Sequence, residues 1–214
     1  MSRFALAVVM AAALAGPVAQ AQSAGEWGSS GPRQFCAVAA VCPSMDLAAS
    51  ADALHLPGNR LYELYFLWKL GRRLHAKARL FPNHFDVRRG KKIRSLREFD
   101  DKVTAPYCGF AGAADYYERS SASRVVQNIS VPALILHAAN DPFIRITPET
   151  RAKIVANPHI TFRESDDGGH CSFIAAPNGY DGRWAEQQVV QFLSRLNSPT
   201  GDEDVRSSTS QARI

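Results

Sequence analysis

The sequence predicts an α/β fold in which helices cover a parallel sheet. Two segments are typical of strands that are apolar along their whole length, and a third, weaker strand segment follows them. A strand without polar alternation is typical of a sheet that is buried on both faces, as parallel sheets are. A hydrophobic content of 46% and a length of 214 residues favour one globular domain of this kind.

The first predicted strand lies in FCAVAAVCPSMDL and ends before Pro43, and the second covers residues 131–138. The third covers residues 159–165, after the turn sequence ANP. More than eighty residues separate the first two strands, whereas a crossover between parallel strands needs only about a dozen. We therefore predict a helical insertion, a cap or lid at about residues 47–130.

Helical patterns fill this insertion and also follow the third strand. Asn59 is placed to cap a helix whose apolar side chains share one face, namely Leu61, Leu64, Tyr65 and Trp68. SLREFDDKV and GAADYYERSSA predict two further helices in the insertion. The closing helix WAEQQVVQFLSRL carries an apolar stripe formed by Ala185, Val189, Phe192, Leu193 and Leu196. Residues 198–214 are polar, which predicts a disordered tail.

Polar residues follow the second and third strands. Asp141 comes just after the second strand, and His170 lies in DDGGHCSF after the third. Open α/β sheets place their ligands at the carboxyl ends of strands, and Gly168 and Gly169 let the backbone bring the imidazole close to another loop. A carboxylate that accepts from Nδ1–H orients a histidine for general-base catalysis. We predict this role for Asp141; in the alternatives, Asp141 only caps an Asx-Pro turn and His170 is an ordinary loop histidine.

Six stretches resemble the α/β-hydrolase superfamily, and specifically its YheT-like branch of esterases and acylglycerol lipases. They are AVAAVCPSMDLAAS, NRLYELYFLWKL, KARLFPNHFD, LREFDDKVTAPYCGFAGAADYYERSSA, LILHAANDPF and GGHCSF. The resemblance implies a partial α/β-hydrolase fold over residues 23–197, with the carboxyl-terminal strands of a mostly parallel sheet and a helical lid insertion. It also implies Asp141 as the triad acid, His170 as the triad base, hydrolysis of carboxylic esters, and no metal or organic cofactor.

The sequence departs from this family at the nucleophile. A G-x-S-x-G elbow, which places the serine on a strand-to-helix turn, occurs nowhere in the 214 residues. GSSG at residues 28–31 has the wrong spacing, and Ser44 falls beyond a later strand. Two functions therefore remain open. One is ester hydrolysis by a Ser-Asp-His triad of which only Asp141 and His170 are present; the other is a catalytically inactive truncated remnant or a lipid- or ester-binding module.

The four cysteines are predicted to be free thiols, because they show no Cys-x-x-Cys spacing and a chain of this size needs no disulfide to fold. They are Cys36, Cys42, Cys108 and Cys171. We expect none of them to replace the serine. A thiolate on Cys36 or Cys42 is disfavoured inside a buried strand. Cys171 adjoins His170 in a loop, where neighbouring side chains rarely reach one another for proton transfer.

No metal site is predicted either. The histidines and acids that lie on or near the strand ends are His137, His159, Asp166, Asp167 and His170. Their spacing matches no closed ligand set, and His137 belongs to a strand.

Residues 1–22 resemble an export signal. MSR gives a positive start, FALAVVMAAALAG an apolar stretch, and AQA at residues 19–21 a small-x-small cleavage site. Because the family would place its elbow here, the alternative is an artefactual start that arises from a misplaced start codon or a shifted reading frame. A genuine signal implies an exported or periplasmic protein, and an artefactual start implies a cytoplasmic one.

Basic residues are concentrated between positions 69 and 97, where eleven Lys and Arg are opposed only by Asp86. We interpret this stretch as a solvated lid face, or as one that attracts anionic lipid headgroups or acidic substrates. No nucleic-acid motif accompanies it, and aromatic residues are not interleaved for base stacking. The predicted partners are a small-molecule ester or lipid and, weakly, an anionic membrane surface, but no nucleic acid.

Overall fold

The computed structural model describes residues 7–10 and 36–196. In these ranges one parallel sheet contains, in spatial and chain order, β1 Ala7–Met10, β2 Val38–Val41, β3 Ala133–Ala138 and β4 Ile160–Ser165. β2, β3 and β4 each fall inside one of the three segments that the sequence predicts as strands. The predicted α/β fold with a parallel sheet is therefore confirmed.

β1 is not among the predicted strands. It lies within residues 1–22, the segment that the sequence analysis interprets as an export signal or an artefactual start. The other residues of that segment lie outside the described ranges, as does the tail at residues 198–214. Both interpretations therefore stay predictions.

The insertion between β2 and β3 is helical, as predicted. It contains α1 Leu47–Leu54, α2 Arg60–Leu80, α3 Leu96–Phe99, α4 Ala105–Cys108 and α5 Ala113–Ser120. Short 3-10 turns lie at Pro57–Asn59, Val87–Gly90, Ala122–Arg124 and Val126–Asn128, and a π-helical turn at Asp100–Thr104 joins α3 to α4. No helix within residues 36–196 is both long and apolar enough to cross a membrane.

Two helices accompany the last strands. α6 Pro148–Ala156 connects β3 to β4, and α7 Trp184–Leu196 follows β4 as the predicted closing helix. Helix α6 is not among the predicted helices, although two common N-terminal signals of a helix mark its first turn. The hydroxyl of Thr147 accepts a hydrogen bond from the Thr150 amide, and Pro148 occupies the first helical position.

Both faces of the sheet are covered, which explains why β2 and β3 lack polar alternation. Every residue of β3 is buried, and successive side chains point to opposite faces. Leu134 and Leu136 belong to the core cluster that includes Ala185 of α7, with Val189 and Phe192 packed against it. On the other face, Val38, Ala40 and Ile135 pack with Met45 and with Ile154 of α6.

The apolar stripe of α2 does not face the core. Its members Leu61, Leu64, Tyr65 and Trp68 are between 47% and 82% exposed. The buried face is instead formed by Glu63 and Leu74, and Leu74 packs with Phe99 and Val103. A carboxylate can be buried there because Glu63 pairs with Arg60, lies 2.9 Å from Nδ1 of His55, and accepts from the Leu96 amide at 2.8 Å.

Asn59 precedes α2, as predicted, but its side chain does not cap the helix. Its amide group donates to the carbonyl oxygens of Ala53 and Pro142, at 2.9 and 2.8 Å. Asn59 therefore ties the start of α2 to the loop that follows β3.

Candidate functional site

The two residues that the sequence pairs as acid and base lie in contact. Asp141 follows β3 and His170 follows β4, so both stand at the carboxyl ends of adjacent parallel strands. Nδ1 of His170 lies 3.0 Å from Oδ2 of Asp141. The Asp141 side chain is fully buried, whereas 32% of the His170 side chain is exposed. The imidazole thus stands between a buried anion and the surface.

Asp141 also caps a turn, and it does so through the oxygen atom that does not contact His170. Oδ1 accepts hydrogen bonds from the amides of Phe143 and Ile144, at 2.8 and 3.0 Å. Oδ2 is thereby left to face His170. The turn holds the carboxylate in one orientation, and a fixed carboxylate can in turn orient the imidazole.

The loop that carries His170 is placed by a glycine and by an asparagine. Gly168 has φ +145°, and a Cβ added there would come within 2.5 Å of the Phe173 ring. The Gly169 amide donates to Oδ1 of Asn140 at 2.8 Å, and Nδ2 of Asn140 donates to Asp167 at 3.0 Å. Asn140 therefore clamps the two site loops together. The sequence analysis misses this role, since nothing in the chain pairs residue 140 with residue 167.

Electrostatics favour the charged forms of both partners. The hydrogen bond with Asp141, followed by contact with Cys42, raises the pKa of His170 to about 9. Burial alone would raise the pKa of Asp141. The hydrogen bonds from His170 and from the Ile144 and Phe143 amides outweigh burial, so this pKa lies below its ordinary value.

Cys42 and Cys171 lie beside the imidazole. Cys42 directly follows β2 and is fully buried, and one potential ligand atom from each of Cys42, His170 and Cys171 lies within 4.8 Å of the others. Cys171 and His170 thus lie near each other, but this distance does not test the expectation that neighbouring loop side chains rarely reach one another for proton transfer. The hydrogen bond to Cys171, together with burial, raises the pKa of Cys42 to about 12, so the Cys42 thiolate is disfavoured, as the sequence analysis expects.

The other two cysteines lie apart from this group. Cys36 is exposed and precedes β2, so its predicted position inside a buried strand is wrong. Cys108 is exposed at the end of α4. All four cysteines are free thiols, as predicted.

The histidines and acids weighed as metal ligands do not come together as one set. His159 precedes β4, whereas Asp166, Asp167 and His170 follow it, so they lie at opposite ends of the strand. His137 belongs to β3 and is only 4% exposed. It shares a group of potential ligand atoms with Cys42 and Asp141 rather than with His159.

Several known proteins that are named for ester chemistry are similar to the chain. No family model matches the sequence. The chain is 30% identical over 162 residues to YheT of Escherichia coli (strain K12), which carries the name of an esterase; the match covers 73% of the chain and 47% of YheT. It is 33% identical to medium-chain fatty acid ethyl ester synthase/esterase 2 of Saccharomyces cerevisiae, over 51% of the chain and 23% of that protein.

Two further proteins are similar to parts of the chain. Phospholipase ABHD3 of Bos taurus is 28% identical over 69% of the chain and 34% of its own length. A solved esterase structure from Pyrococcus furiosus aligns with a TM-score of 0.40 at 12% identity, over 80% of the chain and 48% of that structure. The chain thus spans about half the length of YheT and a smaller share of the other two curated relatives.

Proposed function

Because the chain belongs to the α/β-hydrolase superfamily, we propose that it acts on carboxylic esters with His170 as the general base and Asp141 as the residue that orients it. The observation that carries this proposal is the 3.0 Å contact between Nδ1 of His170 and the buried carboxylate of Asp141. The half-buried position of His170 supports it, because a base must reach both its orienting partner and the substrate.

The proposed chemistry follows from this geometry. His170 takes the proton of an attacking hydroxyl group as that oxygen bonds to the ester carbonyl carbon, and returns the proton to the alcohol as the ester C–O bond breaks. The sequence contains no G-x-S-x-G, so water is the hydroxyl group available to the chain by itself. Loss of the serine from a triad costs on the order of a million-fold in turnover. We therefore expect slow hydrolysis, limited to activated esters.

The test is hydrolysis of p-nitrophenyl acetate by the purified chain and by a His170→Ala variant. At a pH above about 9, where the imidazole of His170 is neutral and can accept a proton, we expect a rate above buffer for the unmodified chain and a buffer rate for His170→Ala, since general-base catalysis contributes about 10²–10⁴-fold. His159→Ala is the matched control, because His159 is exposed at the other end of β4. Equal rates for the unmodified chain and His170→Ala would overturn the proposal.

A second candidate function is ester or lipid binding without turnover, and the missing elbow favours it. A catalytically inactive truncated remnant of the family would keep its pocket and the Asp141–His170 pair while losing the nucleophile. It would bind a non-hydrolysable ester analogue saturably and would show equal rates with and without His170. The same experiment therefore separates the two candidates.

The proposed substrate class is a small ester or a lipid, with weak association to an anionic membrane surface. Leu61, Tyr65 and Trp68 are exposed on α2, and Lys69 and Arg72 stand over the rings of this face. Apolar and basic side chains on one helix are typical of surface-bound helices. Sedimentation with phosphatidylserine-containing vesicles should exceed that with phosphatidylcholine vesicles and fall with salt; equal sedimentation with both would contradict this association.

A further inference from the structure

We propose that Cys42, His170 and Cys171 form a binding site for Zn²⁺. One potential ligand atom from each residue lies within 4.8 Å of the other two. The three residues stand together because Cys42 directly follows β2, while His170 and Cys171 share the loop after β4. The site shares His170 and its contact with Asp141 with the proposed hydrolysis, but it is tested by a separate measurement, and it departs from the sequence-based prediction of no metal.

The ligand chemistry selects a thiophilic divalent cation. Two thiolates and one imidazole are the donors that Zn²⁺ prefers, whereas Mg²⁺ and Ca²⁺ prefer oxygen ligands. Bond lengths of about 2.3 Å to sulfur and about 2.0 Å to nitrogen put the ligand atoms of a tetrahedral site roughly 3.3–3.8 Å apart. The ligand atoms of Cys42, His170 and Cys171 lie within 4.8 Å of one another, so side-chain movements of about 1 Å separate this arrangement from a closed shell.

The orientation of His170 suits a metal ligand. Its Nδ1 is engaged by Oδ2 of Asp141 at 3.0 Å, which leaves Nε2 as the nitrogen for the cation. Zinc-bound histidines in proteins donate their other ring N–H to a carboxylate or carbonyl, because that bond fixes the tautomer and strengthens the ligand. Asp141 provides this support from a fully buried position.

A buried nitrogen without a partner lies next to the same cluster. His137 is 4% exposed, and within residues 36–196 its Nδ1 has no hydrogen-bond partner. One ligand atom of His137 lies within 4.8 Å of those of Cys42 and Asp141. Burial of an unsatisfied polar atom costs free energy. His137, which lies next to Cys42, is therefore the residue that we assign to a fourth ligand position.

The backbone supports the same assignment. Among the described residues, three that are not glycine have positive φ, and two of them are Cys42 at 45° and Cys171 at 65°. This conformation is unfavourable for residues with a side chain, and it concentrates at functional sites. Two of the three residues with this unfavourable conformation are therefore cysteines of the proposed site.

Occupation of this site has a consequence for His170. A cation bound to Nε2 uses the lone pair that a general base needs, so the imidazole cannot serve both roles at once. The consequence depends on the proposed hydrolysis, but the binding itself does not. The experiment therefore measures binding by spectroscopy.

The test is titration of the purified, chelator-treated and chemically reduced full chain with Co²⁺, a coloured substitute for Zn²⁺. We expect a thiolate-to-cobalt charge-transfer band and the intense visible bands of tetrahedral cobalt, saturating at one equivalent and lost on addition of Zn²⁺. Cys171→Ser should weaken cobalt binding at least tenfold. Cys36→Ser and Cys108→Ser are matched controls, since both residues are exposed and lie outside the cluster.

Two results would overturn the proposal. One is a weak spectrum without a charge-transfer band in the unmodified chain, and the other is equal binding by Cys171→Ser. Circular dichroism establishes that each variant is folded. X-ray absorption at the zinc edge of the unmodified chain supplies a measurement that needs no variant, with two sulfur neighbours expected and none as the contradicting result.

Discussion

Gly168 is the residue at which a single methyl group should disturb the site most directly. A Cβ there would meet two atoms of the Phe173 ring at 2.5 and 2.6 Å, and φ is +145°. We expect Gly168→Ala to displace the loop that carries His170, to lower stability by about 1–3 kcal/mol, and to abolish His170-dependent hydrolysis. Urea unfolding and the p-nitrophenyl acetate rate measure these effects.

Gly169 provides the matched control at the next position. Its φ is +50°, but an added Cβ would meet nothing within 4 Å. Gly169→Ala should therefore cost only about 1–2 kcal/mol, from the left-handed backbone alone. If both variants behaved alike, the contact with Phe173 would not be what positions the loop.

The contact between Asp141 and His170 is one that can be predicted from the sequence. The acid and the base can be paired from the chain because each follows a strand of the same parallel sheet. The role of Asn140 cannot be predicted in this way, because its two hydrogen bonds depend on the path of the loop that contains Asp167, 27 residues further along the chain. The proximity of Cys42 and Cys171 also depends on tertiary structure, and no local sequence pattern predicts it.

Among the elements, α2 shows the limit of helical periodicity. The spacing of its apolar residues identifies a helix and a face, but not the environment of that face. Glu63 is buried because His55, Arg60 and the Leu96 amide satisfy its carboxylate, and those partners come from three separate places in the insertion. Strands β2 and β3 are easier to predict, because an apolar run without alternation is compatible with few environments.

The junction of α3, α4 and α5 carries a testable pH dependence. Asp100 accepts hydrogen bonds from Thr104 and Tyr117, both at 2.7 Å. Burial outweighs these bonds and raises the pKa of Asp100. A raised carboxyl pKa means that the folded protein binds this proton more tightly than the unfolded chain. Asp100 therefore disfavours folding increasingly as the pH rises from its unfolded value through its folded value.

Tyr117→Phe should increase this penalty, because it removes a donor from the Asp100 anion. The expected loss of stability at neutral pH is about 1.5–3 kcal/mol, and it should shrink at acidic pH as Asp100 becomes protonated. Urea unfolding at both pH values measures the difference. Tyr116→Phe is the control, since its hydroxyl takes part in none of the described hydrogen bonds; a pH-independent loss in Tyr117→Phe would contradict the role of Asp100.

At the scale of the whole molecule, the parallel sheet positions the residues of the candidate functional site. Parallel strands β2, β3 and β4 end at one edge, so the loops that follow them bring Cys42, Asp141 and His170 together from three distant parts of the chain. The three strands β2, β3 and β4, their parallel arrangement and the position of the insertion follow from the sequence. Strand β1 cannot be predicted from the sequence, because the same apolar residues also fit an export signal.

The central claim is that Asp141 orients His170 at the carboxyl ends of β3 and β4 and raises its pKa. An NMR titration of the His170 ring in the chelator-treated protein, compared with Asp141→Asn, tests it most directly. Asparagine keeps a backbone-capping oxygen but presents no anion to Nδ1. We predict that the pKa of His170 is about 9 in the unmodified chain and falls towards its ordinary value of 6.5 in Asp141→Asn. The same pKa, near 6.5, in both proteins would contradict the claim.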